Sequence, residues 1–172
     1  MSTVRSFAPI ADDRARVLIL GSMPGVESLR AGRYYAHPRN LFWPIVCELL
    51  GAGASQPYAR RVKLLQRARI ALWDVLKSCV REGSLDSSID DASVVPNDFK
   101  SFFRRHPKIT RVFFNGAKAE ACYRKHVLPV ARTLQYQRLP STSPAHAAMS
   151  HERKLDTWKD LISISNIGNT RP

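Results

Sequence analysis

A chain of 172 residues is long enough for one domain with a real core and too short for two independent ones. Apolar residues make up 44% and charged residues 24%, ordinary globular usage that excludes a disordered or fibrous chain. Twenty-seven Lys and Arg against fourteen Asp and Glu leave +13, a charge that attracts polyanions and makes nucleic acid the leading partner class, although a merely solubilising surface gives the same count.

No stretch approaches the roughly 20 apolar residues of a membrane span, and Met1-Ser2-Thr3-Val4 onward lacks the apolar centre of a signal peptide. A cytoplasmic protein with no membrane partner is expected. Cys47, Cys79 and Cys122 are odd in number and far apart, so no disulfide, zinc or iron–sulfur spacing exists, and buried reduced thiols without a metal are expected.

In chain order, residues 1–13 read as a loose segment. Arg16 to Leu20 is a buried strand that meets Gly21. Leu41 to Leu50 is helical, as is Pro57 to Arg67, which puts Tyr58, Val62 and Leu65 on one face. Ile70 to Trp73 is a second buried strand, ending at Asp74, and Ser78 to Pro96 is a long polar connection, either a functional loop or a plain surface one. Asn97-Asp98 caps a short helix carrying Phe99, Phe102 and Phe103. Thr110 to Phe114 is a third strand, running into Asn115-Gly116; Ala117 to His126 is a helix, and Leu134 to Leu139 a fourth strand, stopped by Pro140. Ser150 caps the last helix, with Leu155, Trp158 and Ile162 facing inward, and residues 165–172 form a loose tail. Strands separated by helices predict an α/β fold: a single-domain, three-layer α/β/α sandwich with a central four-stranded parallel sheet. Such sheets bind ligands at the carboxyl ends of their strands.

Three segments stand at those ends. Gly21-Ser22-Met23-Pro24-Gly25 can bring backbone N–H groups against a phosphate or base, but matches neither a P-loop nor a dinucleotide fingerprint, and alone it is a bare turn. Tyr34-Tyr35-Ala36-His37-Pro38-Arg39-Asn40-Leu41-Phe42-Trp43 combines aromatics that stack on bases with cations that hold phosphates; equally, Asn40 caps a helix while Phe42 and Trp43 fill the core. Pro140-Ser141-Thr142-Ser143-Pro144-Ala145-His146 offers hydroxyls and backbone to phosphates, or is an ordinary Ser/Pro turn.

Together these segments, with Leu72-Trp73-Asp74-Val75-Leu76 and Gly83-Ser84-Leu85-Asp86, resemble the uracil-DNA glycosylase superfamily, most closely its hypoxanthine-DNA (deoxyinosine) glycosylase branch. The resemblance covers nearly the whole chain and places a glycosylase-like domain at 14–164. Uracil-excising members carry Gly-Gln-Asp-Pro-Tyr in the first loop and His-Pro-Ser in the last; here Met23 stands at the Asp position, Gly25 at the Tyr position and Leu139 at the His position. A thioether cannot do a carboxylate's work. The resemblance therefore moves catalysis to Asn40 and implies that Phe42 stacks on a flipped base.

The base pocket so implied comprises Gly21, Ser22, Met23, Pro24, Gly25, Phe42, Asp74 and Asn115; Asp74 and Asn115 each read either as pocket contacts or as loop and capping residues. Arg39, Ser141, Thr142, Ser143, Pro144 and His146 are expected to meet DNA, with Arg30, Arg33, Arg60 and Arg61 on phosphates. The expected activity is monofunctional: a monomer, without metal or cofactor, flips a deaminated base out of damaged double-stranded DNA and hydrolyses its N-glycosidic bond in base-excision repair. Hypoxanthine ranks first. Uracil in G/U mismatches and a catalytically silent nucleic-acid-binding module are the alternatives.

Overall fold

The computed structural model describes residues 2–53 and 55–165. In chain order the elements are β1 (Ser2–Arg5), β2 (Val17–Gly21), α1 (Val26–Ala31), α2 (Phe42–Leu49), α3 (Tyr58–Arg67), β3 (Ile70–Asp74), β4 (Leu76–Arg81), β5 (Val95–Pro96), α4 (Phe99–Arg105), β6 (Arg111–Asn115), α5 (Ala117–His126), β7 (Gln135–Leu139), α6 (His151–Trp158) and α7 (Asp160–Ser165). The central sheet has the order β3-β2-β6-β7, and all three of its pairings are parallel.

Period-2 alternation divides the core between the two faces of this sheet. Leu18, Leu20, Ala71, Trp73, Val112 and Phe114 join one buried cluster with Phe99, Phe102 and Phe103 of α4 and Cys122 and Tyr123 of α5. Val17, Ile19, Ile70, Leu72 and Phe113 join another with Phe42, Trp43, Ile45 and Val46 of α2, Leu65 of α3 and Trp158 of α6. Helices therefore cover both faces, as the strand-helix alternation predicts. All three cysteines are free and buried.

The N-terminal residues depart from the sequence reading. Instead of a loose segment, Ser2–Arg5 pair antiparallel with β4, and Ile10 exchanges two backbone hydrogen bonds with Leu72, at 2.9 and 2.8 Å, covering an edge of the central sheet. The Ser78–Pro96 connection also begins inside a strand: β4 is the middle of a three-stranded antiparallel sheet, β1-β4-β5. The expected caps form, with Asp98 accepting from the Ser101 N–H at 3.0 Å and Ser150 from the Arg153 N–H at 3.3 Å. Of the expected C-terminal tail, residues 166–172 lie outside the described residues, and Ser165 ends α7.

Candidate active site

Parallel strands deliver Gly21, Asp74, Asn115 and Leu139 to one edge of the sheet, and the three segments singled out above gather there. Gly21 is dictated by its surroundings. A Cβ at this position would lie 2.6 Å from Asp74 Oδ1 and 2.9 Å from the Tyr35 hydroxyl, closer than side chains approach. The strand end, the carboxyl and the phenol therefore meet at one point.

In the first loop, Ser22 donates its hydroxyl to Asp86 at 2.6 Å, Met23 is buried in the core, and Pro24 is buried too. The side chains expected to line a base pocket are thus engaged elsewhere, which leaves the backbone to face a ligand. Among the described residues, the N–H groups of Met23 and Gly25 make no hydrogen bond.

The second segment is a sharply folded connection. Tyr35 takes φ +53°, a left-handed conformation that a bulky residue adopts only where its surroundings impose it. Its ring stacks on Phe42 with centroids 4.1 Å apart and planes 21° apart. Phe42 is 0% exposed and Tyr35 only partly buried, so of the two stacked rings Tyr35 is the one that keeps exposed surface. The resemblance implies Phe42 for the stacking position; here Phe42 is fully buried, and the reversal of the chain at Tyr35 lays the Tyr35 ring over it. The Tyr35 hydroxyl is buried with no close hydrogen-bond partner among the described residues, and desolvation together with the Asp74 charge raises its pKa against the opposing pull of the nearby Asn115 amide.

Asn40 follows at the start of α2. Its Oδ1 accepts from the Phe42 N–H at 2.9 Å, and its own N–H donates to the His37 carbonyl at 2.9 Å. This turn holds the amide in one orientation while the residue stays partly exposed. Capping and chemistry are compatible, because a carbonyl oxygen has a second lone pair.

Asp74 is 3% exposed, and its Oδ2 has no partner among the described residues. Burial first, then the neighbouring Asp86 charge, pushes its pKa up to about 7 against the opposing pull of Arg81. Asn115, by contrast, is tied to the last loop. Its Nδ2 donates to Thr142 Oγ1 and its Oδ1 accepts from the Thr142 N–H, both at 2.9 Å. Of its two sequence readings, the structure shows the loop-holding role.

The same contact removes Thr142 from the expected DNA-binding hydroxyls, since its side chain is buried and occupied. Ser141 and Ser143 turn their hydroxyls onto the N–H groups of Ser143 and Ala145. Pro144 is partly buried, and Arg39 and His146 are exposed. Two donors on one face of α6 hold the ends of this loop: Trp158 Nε1 on the Pro140 carbonyl at 3.0 Å and Lys154 Nζ on the His146 carbonyl at 2.7 Å. Lys154, itself buried, was missed in the sequence; its place four residues before Trp158 on an inward face is the signal that finds it. The Leu41 N–H donates to the Thr142 carbonyl at 3.0 Å, so the Asn40 turn and the last loop are tied together.

Of the expected phosphate contacts, Arg60 is exposed, whereas Arg61 donates to the Gln56 carbonyl at 2.7 Å and lies over the Trp43 ring, Arg33 lies over the Tyr58 ring, and Arg30 pairs with Glu27. Among the described residues, no three His, Cys, Asp or Glu side chains are grouped to hold a metal, and no helix is long and apolar enough to cross a membrane. A separate open cleft of about 730 Å³, lined by Phe99, Phe103, Val130 and Arg132 among others, shares no residue with the Tyr35–Asn40–Asp74 cluster.

This constellation has relatives. The chain is 38% identical over 161 residues to the hypoxanthine DNA glycosylase of Methanosarcina acetivorans, an alignment covering 92% of this chain and 97% of the relative. It is 35% identical over 153 residues to the hypoxanthine DNA glycosylase of Methanosarcina barkeri, covering 87% and 92%. The solution NMR structure of a candidate uracil DNA glycosylase from Methanosarcina acetivorans superimposes with a TM-score of 0.78 at 34% identity, over 96% of this chain and 99% of that one. The family model of the uracil DNA glycosylase superfamily matches residues 8–162, from the segment that covers the β3 edge through α6 into α7, and the chain belongs to that superfamily.

Proposed function

We propose that this protein is a DNA glycosylase that removes hypoxanthine from deoxyinosine in double-stranded DNA by hydrolysis of the N-glycosidic bond. The observation that carries the reading is the pocket wall: a partly exposed Tyr35 ring backed by Phe42, beside an Asp74 carboxyl with a free oxygen and a first loop that offers backbone and no acid. The likeness to two relatives named hypoxanthine DNA glycosylase supports the choice of base.

The extruded nucleotide stacks on Tyr35, and extrusion costs least where the base is poorly paired, as deaminated bases are. Asn40 accepts a hydrogen bond from a water below C1′. Water adds to C1′ as the bond to the base nitrogen breaks, the electron pair leaves with hypoxanthine, and the proton released by water passes to solvent or to the departed base. A neutral amide cannot deprotonate water strongly, so most of the rate comes from stabilising the leaving group and the oxocarbenium-like sugar. The free N–H groups of Met23 and Gly25 are the donors that the first loop can supply. Asp74 in its carboxylate form accepts from N1–H of hypoxanthine, which adenine lacks; this discriminates the deaminated base from its parent.

Arg39 and His146 at the rim meet phosphate, and the loop around Pro144 probes the gap left by the flipped base. The reading takes the protein to act as a monomer, and the three buried thiols suit the cytoplasm. Binding falls with salt by about 0.9 in log K per phosphate contacted.

Base release from duplexes carrying deoxyinosine, deoxyuridine or deoxyxanthosine tests the reading. Release of hypoxanthine with normal adenine untouched is expected. Robust uracil release with none of hypoxanthine would establish the mismatch-uracil alternative instead, and binding without release of any base the silent module.

A further inference from the structure

Gly83-Ser84-Leu85-Asp86 belongs to the segments that mark the family resemblance, yet none of its residues enters the chemistry above. The structure shows what it holds. Asp86 Oδ1 accepts from the Ser22 hydroxyl at 2.6 Å. Ser84 Oγ accepts from the Val26 N–H at 2.8 Å. Arg81, which ends β4 and is 1% exposed, donates Nη2 to the Pro24 carbonyl and Nε to the Gly83 carbonyl, the latter at 3.0 Å. Positions 22 and 24 of the first loop, and Val26 where α1 begins, are thus each tied to the single stretch 81–86. A Cβ at Gly25 would lie 3.3 Å from Ser84 Oγ, so the two segments are in close contact along their length.

An ordinary surface turn does not need this. Burying a guanidinium is costly, and Arg81 Nη1 remains buried with no hydrogen bond among the described residues. The arrangement fits a loop whose backbone, rather than its side chains, contacts the departing base: a misplacement of about 1 Å in such donors costs roughly 10²-fold in rate. Ser22 and Met23 point away from the ligand, so the loop has no side chain of its own with which to correct its position.

We propose that Asp86, Arg81 and Ser84 form a clasp that sets the position of the Gly21–Gly25 backbone for base excision, with Asp86 acting through Ser22 as a positioning residue that never touches the substrate. The inference rests on the glycosylase reading of the site. Charged and titratable groups converge on the clasp from four elements. Asp86 faces Arg81 of β4 and Lys118 of α5, and Asp74 of β3 faces Asp86, Arg81 and the Tyr34 and Tyr35 phenols. Asp86 therefore has a second effect, electrostatic rather than mechanical: its charge raises the pKa of Asp74.

The test compares Asp86→Ala, Asp86→Asn and the parental protein in single-turnover base release across pH, alongside amide hydrogen exchange of the free proteins. Asp86→Ala is expected to lose about 10²-fold in rate with duplex binding retained, and to speed exchange at Leu76, whose N–H donates to the Ser22 carbonyl at 3.2 Å, while the central sheet stays protected. Asp86→Asn keeps an acceptor for Ser22 and removes the charge. It should lose less rate, and the limb of its pH profile that reports Asp74 should move to lower pH, a shift that a merely structural residue would not produce. If Asp86→Ala fails to fold, Asp86→Asn and Ser84→Ala, the latter read by exchange at Val26, carry the comparison. Parental exchange at Leu76 in the Asp86 variants and at Val26 in Ser84→Ala, or parental rates and pH profiles, overturns the clasp. Failure of the parental protein to release hypoxanthine overturns the functional reading instead; the clasp is then judged by exchange and by the rate on whichever base is released.

Discussion

Asn115 and Thr142, 27 residues apart in sequence, exchange two hydrogen bonds of 2.9 Å, amide to hydroxyl and backbone N–H to amide oxygen. The pair locks the loop after β7 to the end of β6. Gly116 allows the approach: at φ +96° it takes a conformation that disfavours side chains, and a Cβ there would lie 3.0 Å from that of Ser141. Asn115→Ala leaves the buried Thr142 hydroxyl and N–H without partners, at a cost of about 1–3 kcal/mol. Thermal melting should show that loss, and DNA binding should weaken because the loop proposed to probe the duplex is no longer fixed. An Asn115→Ala protein with parental melting and parental affinity would show that the lock is dispensable.

Asn40→Ala removes the carbonyl proposed to orient water and should lower single-turnover excision by roughly 10²-fold or more while duplex binding survives. The same oxygen accepts from the Phe42 N–H, so about 1 kcal/mol of stability goes with it, visible in a melting curve. Asn40→Asp preserves the cap and an acceptor for water and keeps part of the rate. A folded Asn40→Ala protein that excises hypoxanthine at the parental rate would transfer the catalytic role to another residue.

The central sheet was legible because its signals are local. Val17 to Leu20, Ile70 to Leu72 and Val112 to Phe114 are apolar runs of strand length stopped by Gly21, Asp74 and Asn115-Gly116. The antiparallel sheet was not, since Ser2–Arg5 is polar and mostly exposed, and its partner β4 buries Ser78 and Arg81, reversing the usual relation of polarity to burial. In the site, the motif positions were readable and the directions of the side chains were not. Whether Asn115 faces a ligand depends on Thr142, and whether Ser22 does depends on Asp86; both partners are remote in sequence. Tyr35 takes the exposed face from Phe42 through one backbone dihedral, which no periodicity encodes.

Tyr35 supplies the next outcome. Its hydroxyl is buried with no hydrogen bond, so Tyr35→Phe should leave the free protein as stable as before or up to about 1 kcal/mol more stable, with base stacking intact. Tyr35→Ala removes a platform worth about 1–3 kcal/mol per base and should cut excision from deoxyinosine duplexes about 10- to 100-fold. Equal losses in both variants would mean that the hydroxyl, not the ring face, is what the substrate uses.

Asp74 gives a prediction with a definite sign. Its folded pKa, raised to about 7 by burial and by Asp86, stands above the ordinary value of 3.8. Between those two pH values the unfolded chain releases a proton that the folded protein retains, so this carboxyl makes stability fall as pH rises from about 4 to about 7, beyond which its contribution is constant. Asp74→Asn replaces the ionisable group with a neutral one of the same shape. The variant should gain stability relative to the parental protein as pH rises through that window, by on the order of a few kcal/mol at pH 8; the slope that remains combines Asp86, whose pKa burial also raises, with the opposite contributions of Asp12, Asp91 and Asp98, whose pKa values are lowered. Melting temperatures of both proteins at a series of pH values measure the difference directly. Excision should respond in the opposite direction: if the carboxylate accepts from N1–H of hypoxanthine, the parental rate climbs through pH 7 as Asp74 ionises, and Asp74→Asn, which offers an amide oxygen at every pH, loses that climb. Parallel melting curves for the two proteins would show that Asp74 is ionised throughout. A rate that climbs identically in both would place the titrating group elsewhere, with Asp86 the first to examine.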